Sequence, residues 1–147
     1  MMNEADLQQI LCAKAIDIRQ KAYAPYSYFN VGAALLADDG VIYQGVNVEN
    51  AAYPLGSCAE AGAIAQMILG GGRKISAIAI SGALWEGDGK EVDIQNAPLC
   101  TPCGGCRQRI REFASPDINI YICDAYEFRA AFTLKALLPE SFGPENL

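Results

Sequence analysis

The sequence predicts a three-layer α/β/α sandwich built around a mixed β-sheet. The first observation is the order of apolar patterns along the chain, which runs helix, hairpin, helix, strand, helix, strand. The second is the length of 147 residues, which suits one domain, residues 1–147, with a core of its own. The third is the composition, because 52% hydrophobic and 19% charged residues are ordinary for a compact fold.

The first two elements are a helix and a β-hairpin. Asn3 is a favoured N-cap residue, and apolar residues recur at helical spacing over 4–22. Two apolar and partly alternating runs follow at 28–36 and 41–48, on either side of the turn Asp38-Asp39-Gly40. A short acidic turn with glycine between two such runs is typical of a hairpin.

The middle of the chain predicts a buried helix and a strand. Ser57 is a plausible N-cap for a helix over 58–69, and the glycines at 70–72 end it. A β-branched run at 75–80 predicts a strand. Residues 82–98 combine glycines, acids and Trp85 without a clear period, which indicates an excursion on the surface.

The C-terminal third continues the alternation of helix and strand. Cys103 directly follows Pro102 and is expected to open a helix that runs to about Ala114. Strands are predicted at 118–123 and 128–132, and a short helix at 134–138.

Charge and hydropathy exclude several classes of partner. The net charge is −6 and the basic residues form no stripe, so the sequence argues against nucleic-acid binding. No apolar run approaches the roughly 20 residues that a membrane span needs. The first fifteen residues contain acids and glutamines where a signal peptide would be basic and then apolar. We therefore expect a cytoplasmic protein with no membrane partner.

Six cysteines and no histidine restrict the chemistry of the chain. A sequence of this size without a signal peptide favours metal-binding or core cysteines over disulfides. Two blocks place thiols close together or beside a carboxyl, Cys58-Ala59-Glu60 and Pro102-Cys103-Gly104-Gly105-Cys106. They predict that Cys58, Cys103 and Cys106 bind one Zn²⁺ and leave a fourth position open for water, as catalytic zinc sites do.

Two other metal sites could use the same segment. Adding Cys100 would close a four-thiolate structural zinc site, and the spacing of Cys100, Cys103 and Cys106 also resembles the start of an iron–sulfur sequence. Residues i and i+3 at a helix start point the same way, so Cys103 and Cys106 can chelate together. Cys100 precedes Pro102 and lies outside that helix, so we favour the three-thiolate site.

Glu60 is the candidate general acid–base residue. Without histidine, proton transfer near neutral pH must fall to a carboxyl, and Glu60 stands two residues from a proposed ligand. Three thiolates leave a zinc site formally negative, which weakens the acidification of its water unless positive charge lies nearby. Arg107, directly after Cys106, is a candidate for that charge; the alternative is a solvent-facing helix arginine.

These motifs resemble the small homotetrameric cytidine deaminases. The resemblance extends over nearly the whole chain, in the same order and spacing. The matching stretches are Tyr26 to Leu35, Asn47 to Gly56, Cys58 to Glu60, Pro102 to Gln108 and Leu137 to Pro144. It implies a five-stranded sheet with flanking helices, one Zn²⁺ per subunit, and hydrolysis of the nucleosides cytidine or deoxycytidine to uridine products and ammonia.

The resemblance also implies roles for individual residues. It implies that Phe29 stacks on the base and that Asn47 and Glu49 bind the ribose hydroxyls. It also implies that Glu60 and the Thr101 carbonyl contact the amidine edge of the pyrimidine from both sides, and that the Ala59 amide donates to the pyrimidine carbonyl. Tyr53 and Phe142 would reach the active site of a neighbouring subunit, which makes assembly a condition of activity. From their place at a strand end alone, Asn47 and Glu49 fit turn-forming residues equally well.

One departure from the family is Ala61. Relatives commonly have arginine directly after Cys-Ala-Glu, where it helps to neutralise the three-thiolate zinc; here Ala61 and Gly62 follow. The chain therefore tolerates a more electron-rich zinc or supplies charge from elsewhere.

Three alternative functions are considered. A modified cytidine or a cytosine-bearing antibiotic is an alternative substrate for the same chemistry. A structural zinc module is an alternative class of protein, and the acidic net charge argues against a polynucleotide-editing deaminase.

Overall fold

The computed structural model describes residues 2–85 and 96–147 and confirms the α/β/α sandwich with a five-stranded mixed sheet. The α-helices are α1 (Glu4–Arg19), α2 (Ala59–Gly70), α3 (Gly104–Phe113) and α4 (Leu134–Leu137). The strands are β1 (Phe29–Ala37), β2 (Ile42–Val46), β3 (Ile75–Leu84), β4 (Ala114–Cys123) and β5 (Phe128–Thr133). Of the helices in the described ranges, none combines the length and the apolar character needed to cross a bilayer.

The sheet places two helix starts at the same edge. The strand order is β2-β1-β3-β4-β5, in which β1 is antiparallel to both neighbours and β3 is parallel to β4. Strands β2, β3 and β4 therefore share one direction. The chain leaves β2 and β3 at the same edge, and α2 and α3 follow these two strands, so both helices begin there.

Each face of the sheet has its own core. One face packs against α2, α3 and α4, and its buried residues include Leu35, Ile78, Ile80, Ile120 and Ile122. The opposite face packs against α1 through a second group that includes Ala34, Ala79 and Tyr121. Neighbouring residues of one strand alternate between the two groups, which is the period of two that a sheet buried on both faces requires.

Glycines allow α1 and α2 to approach the sheet closely. A Cβ atom at Gly45 would overlap the Ala59 carbonyl oxygen and the Ala63 amide nitrogen, and it would lie 2.8 Å from the carbonyl carbon of Gly62. On the other face, a Cβ atom at Gly32 would overlap the carbonyl oxygen of α1 residue Ala15. The depth at which α2 lies on the sheet therefore depends on Gly45.

Several predicted boundaries were wrong because backbone pairing overrides the local pattern. The first helix ends at Arg19 and not at residue 22, because Lys21 and Ala22 donate to carbonyls three residues earlier and form a tighter turn. Ser57 is not the N-cap of α2, because its backbone N–H and C=O both pair with Val48. The N-cap is Cys58, and in the same way Cys103 is the N-cap of α3 and not its first helical residue.

Two predicted strands are longer than expected. Strand β4 begins at Ala114, immediately after α3, because Ala114 pairs with Ile75 of β3. Strand β3 continues to Leu84, which pairs with Phe29, so the start of the predicted surface excursion at 82–98 was wrong. Residues 86–95 of that excursion lie outside the described residues.

Gly45→Ala should destabilise the fold by about 1–3 kcal/mol, because the new methyl group overpacks the contact between α2 and β2. Gly62→Ala is the matched control, since a Cβ atom there meets its nearest neighbours at an ordinary 3.5 Å and Gly62 lies inside a helix. We expect the control to be neutral or stabilising by up to about 1 kcal/mol. Urea unfolding of both variants measures the difference, and equal stabilities would contradict the close-packing argument.

Candidate metal centre and active site

Three thiols from two helix starts meet at one edge of the sheet. Cys58 is the N-cap of α2, Cys103 is the N-cap of α3, and Cys106 lies in the first turn of α3. Their Sγ atoms all lie within 4.8 Å of one another. The first N–H groups of a helix lack intrahelical acceptors, so both helix starts favour negative charge at this point.

The cluster has the donor chemistry and spacing that zinc requires. Zn–S bonds of about 2.3 Å at tetrahedral angles place ligand sulfurs about 3.8 Å apart, so only small adjustments are needed. Burial raises the pKa of Cys58 and of Cys106, whereas the Cys106 amide lowers the pKa of Cys103. Metal binding must therefore displace protons from thiols that otherwise hold them, which makes zinc affinity dependent on pH.

Cys100 differs from these three thiols. Among the described residues, the group of close thiols does not include it, and its side chain packs against the core and over Gly82. Burial raises the pKa of Cys100 to about 12, so it stays a neutral thiol at neutral pH. Cys12 and Cys123 lie in the core on the α1 side of the sheet, away from the cluster.

Glu60 is the buried carboxyl of the site. It occupies the second position of α2, and only 4% of its surface is exposed. Burial raises the pKa of Glu60; the Glu60 backbone amide, the Cys106 side chain and the positive charge of Arg109, in decreasing order, oppose this effect. A carboxyl whose pKa is moved toward neutrality can both accept and return a proton at physiological pH.

A pocket of about 330 Å³ opens onto Glu60 and the thiols. Its lining brings together most of the residues that the sequence singled out, namely Asn47, Glu49, Tyr53, Cys58, Ala59, Glu60, Thr101 and Cys103. Val31 and Cys100 add apolar surface to the wall. A partly apolar pocket with a few convergent polar groups is typical of a small-molecule site.

Hydrogen bonds to backbone groups and to the Ser27 hydroxyl fix the side chains of Asn47 and Glu49 without a ligand. The Asn47 amide accepts from the Val31 N–H at 2.9 Å and donates to the Phe29 carbonyl at 2.9 Å. Glu49 accepts from the Tyr26 N–H at 2.9 Å and from the Ser27 hydroxyl at 2.5 Å. A side-chain amide has a second donor and a second acceptor site, so Asn47 can still bind a ligand.

Of the three aromatic residues that the sequence singled out, Tyr53 lines the pocket, whereas the described lining includes neither Phe29 nor Phe142. Phe29 is half-exposed at the start of β1, and its ring edge and Cys100 both lie over Gly82. Tyr53 is 76% exposed and packs edge-on against Tyr26. Phe142 is exposed near the C-terminus, and its carbonyl accepts from Gln108 at 2.9 Å.

Arg107 and Arg109 of α3 contact different groups, and the sequence motif did not predict this difference. Arg107 donates to the carbonyls of Pro102 and Leu137, both at 2.7 Å, and to the Thr101 hydroxyl at 3.3 Å. It therefore holds the segment that carries the Thr101 carbonyl. Arg109 points its guanidinium at Cys106, with 3.9 Å between Nη1 and Sγ. Sequence reasoning missed Arg109, although its spacing of three residues from Cys106 on a helix could have indicated the contact.

Ser27→Ala should lower stability in a pH-dependent way. The Ser27 hydroxyl is the largest cause that lowers the pKa of Glu49, so ionised Glu49 stabilises the fold above its unfolded pKa of about 4.3. This stabilisation is lost as the pH falls through the lower folded pKa. The midpoint of thermal unfolding should drop at pH 7, and the gap to the wild type should narrow between pH 5 and pH 3.

The exposed Ser76 supplies the control, because Ser76→Ala removes a hydroxyl of the same type away from Glu49. Its difference from the wild type should not change with pH. A gap for Ser27→Ala that stays constant down to pH 3 would show that Glu49 does not depend on this hydrogen bond.

Comparison with known proteins agrees with this site. Residues 5–122 match the sequence profile of the cytidine and deoxycytidylate deaminase zinc-binding region. A cytidine deaminase of Sporosarcina psychrophila is 39% identical over 137 residues, which cover 93% of this chain and 92% of that protein. A cytidine deaminase of Halalkalibacterium halodurans is 37% identical over 140 residues, which cover 95% and 97%.

Solved structures show the same fold. The crystal structure of a cytidine deaminase from Burkholderia pseudomallei has a TM-score of 0.78 and 35% identity, covering 96% of this chain and 100% of that one. A Mycobacterium tuberculosis cytidine deaminase has a TM-score of 0.71 and 36% identity, covering 92% and 96%. With three thiols placed for zinc beside a buried carboxyl, the chain belongs to the cytidine and deoxycytidylate deaminase family.

Proposed function

We propose that the protein hydrolyses cytidine and 2′-deoxycytidine to uridine and 2′-deoxyuridine with release of ammonia. The observation that carries this proposal is the buried carboxyl of Glu60 beside three clustered thiols in one pocket. The relatives described as cytidine deaminases support the same reaction. A nucleoside suits an acidic chain with a net charge of −6 better than a polynucleotide does.

Cys58, Cys103 and Cys106 hold the zinc ion as thiolates. Bound zinc acidifies a coordinated water and thereby supplies the nucleophile near neutral pH. The two helix starts support this site, because their N–H groups and dipoles offset part of the negative charge of the ligands. Cys106 is fully buried, which keeps bulk water away from that ligand.

Glu60 moves the protons of the reaction. It accepts a proton from the attacking water and delivers it to the ring nitrogen of the pyrimidine. The water oxygen forms the new bond to C4, the bond from C4 to the exocyclic nitrogen breaks, and Glu60 passes the second proton to the departing amine. Ammonia is a better leaving group than an amide ion, so the reaction depends on this relay.

Polar groups around Glu60 orient the nucleoside. The Ala59 N–H lies in the first turn of α2, without an intrahelical acceptor, and meets the pyrimidine carbonyl. The Thr101 carbonyl, held in place by Arg107, accepts from the amino edge of the base. Asn47 and Glu49 hold the ribose hydroxyls from the loop that follows β2, and Phe29 stacks on the base.

Four chains assemble into a homotetramer in this proposal. Large apolar side chains are exposed, among them Tyr53 at 76%, Leu55 at 73% and Phe142 at 58%, and Tyr53 also lines the pocket. Exposed apolar side chains of this size support a protein interface. Tyr53 and Phe142 of one subunit complete the active site of its neighbour.

Two further features of the proposed enzyme follow from the core and the thiols. We infer that residues 1–147 form one domain, because both cores share a single sheet. We place the enzyme in the cytoplasm, where the reducing environment keeps cysteines such as these six free thiols available to bind metal.

Glu60→Gln should lower kcat by about 10²–10⁴-fold, because the amide cannot carry the proton relay. The ultraviolet absorbance of cytidine measures turnover, and zinc content is determined on the same samples. Both the wild type and the variant should hold about one zinc per chain. Glu112→Gln is the matched control, since Glu112 is an exposed carboxylate of α3, and it should keep wild-type activity.

If the wild type holds zinc but leaves cytidine and deoxycytidine unchanged, the proposed substrate is wrong, and a panel of modified cytosine nucleosides decides between another deaminase and a structural zinc module. Activity on that panel that Glu60→Gln abolishes would assign the same chemistry to another substrate. Inactivity across the whole panel would favour the structural module.

Mixing two inactive variants should restore activity if Phe142 acts across the subunit interface. Phe142→Ala lacks the aromatic group, and Glu60→Gln lacks the proton relay but still provides Phe142. Reassembled hybrids contain sites with an intact Glu60 and a neighbouring Phe142, so cytidine turnover should reappear. Light scattering should give about four times the 15.7 kDa chain mass for each protein.

The control mixture combines Phe142→Ala with a doubly substituted chain that carries both changes. No site in that mixture has Phe142, so turnover should stay at the level of Phe142→Ala alone. Recovery in the control, or no recovery in the test mixture, would place Phe142 in its own subunit's site or outside the active site.

A further inference from the structure

The proposed zinc site carries excess negative charge. Three thiolates outweigh the charge of one Zn²⁺, and the carboxyl of Glu60 lies in the same pocket. On α2, Glu60 is followed directly by Ala61 and Gly62. The alanine side chain has neither charge nor a hydrogen-bond donor, so compensation must come from another element.

Arg109 lies where that compensation is needed. Its Nη1 is 3.9 Å from Cys106 Sγ, within hydrogen-bonding range for sulfur. Helical spacing explains the contact, because Arg109 follows Cys106 by three residues on α3. A guanidinium that donates to a thiolate forms a charge-assisted hydrogen bond, which is stronger than a neutral one.

Gly105 leaves the space that the Arg109 guanidinium uses. A Cβ atom at Gly105 would lie 3.1 Å from Arg109 Nη1 and 4.0 Å from Cys103 Sγ. The guanidinium therefore lies over the turn that joins two of the three thiols. A side chain at position 105 would crowd this arrangement.

The other two arginines of α3 are engaged elsewhere. Arg107 donates to Pro102, Leu137 and Thr101. Arg111 donates to the Ser141 hydroxyl at 2.8 Å and forms an ion pair with Glu145. Of the three, Arg109 is the one that donates to a thiol of the cluster.

We propose that Arg109 stabilises the three-thiolate zinc by donating to Cys106, a role that Ala61 on α2 cannot fill. The proposal rests on the assignment of these thiols as zinc ligands in the proposed function. Arg109 is a positioning residue in this role, since it acts on a ligand and not on the substrate. Its guanidinium places the compensating positive charge on α3, one turn after the ligand Cys106.

Arg109→Met tests the charge directly, because methionine keeps an apolar stem and removes the guanidinium. Competition between the zinc-loaded protein and a chromogenic chelator at fixed pH measures zinc affinity. We expect a loss of about 10–100-fold, the range for groups that support metal ligands. Arg109→Lys retains a positive charge and should recover part of the affinity. Lys135→Met removes an exposed cation that pairs with Asp117, and it should bind zinc like the wild type.

A rescue variant separates charge from packing. Ala61→Arg combined with Arg109→Met supplies a guanidinium from α2, three residues after the ligand Cys58, so zinc affinity should return toward the wild-type value. If this double variant does not fold, the comparison of Arg109→Met with Arg109→Lys still decides. Wild-type affinity in Arg109→Met overturns the proposal, as does an equal loss in Arg109→Lys.

Cobalt substitution gives a signature that a purely structural role would not change. A thiolate that loses its cationic donor becomes more electron-rich, so the sulfur-to-cobalt charge-transfer band of Arg109→Met should move to longer wavelength. An unchanged band overturns the proposal. Both readouts work without substrate, so this proposal and the proposed reaction can fail separately. If the wild type is inactive on cytidine but Arg109→Met still binds zinc more weakly than the wild type, the proposed reaction is overturned and the role of Arg109 is supported.

Discussion

The close approach of α2 to the sheet is the constraint on which the site depends. Gly45 lets the backbone at Ala59 and Ala63 rest directly on β2. Because β2 and β3 run in the same direction, α2 and α3 begin at one edge, and their N-caps Cys58 and Cys103 meet there. A shift of α2 away from the sheet would separate one thiol from the other two. The metal centre is therefore set by backbone packing more than by the flexibility of its ligands.

The same helix starts explain how the site tolerates its charge. Free N–H groups and helix dipoles favour thiolates at both N-termini, and Arg109 adds a full positive charge beside Cys106. Glu60 lies on the same turn as a ligand, yet it is buried, which raises the pKa of this carboxyl. Within a single turn of α2, the fold thus half-buries a ligand thiol, Cys58, buries a carboxyl, Glu60, and raises the pKa of both.

Hydrogen bonds around the pocket preorganise the groups proposed to contact the substrate. Asn47 completes the pairing of β1 beyond the end of β2, Glu49 holds the turn at Tyr26 and Ser27, and Arg107 holds the segment at Thr101. Asn47 and Glu49 are fixed by contacts distant in sequence, whereas Arg107 holds a segment that shortly precedes it in the chain. Binding a nucleoside then requires little ordering of the protein, which improves affinity for a small polar ligand.

The sequence by itself determined the layer order and pointed to the thiols and the carboxyl, because these depend on residue periodicity and on short spacings such as Cys103 to Cys106. It misplaced the starts of α2 and β4, since Ser57 and Ala114 are held by partners far along the chain, Val48 and Ile75. Only the tertiary structure decided how α2 brings Cys58 to the two thiols of α3, and that Arg109, not Arg107, faces Cys106. Such contacts depend on how helices lie on the sheet, which local patterns do not encode.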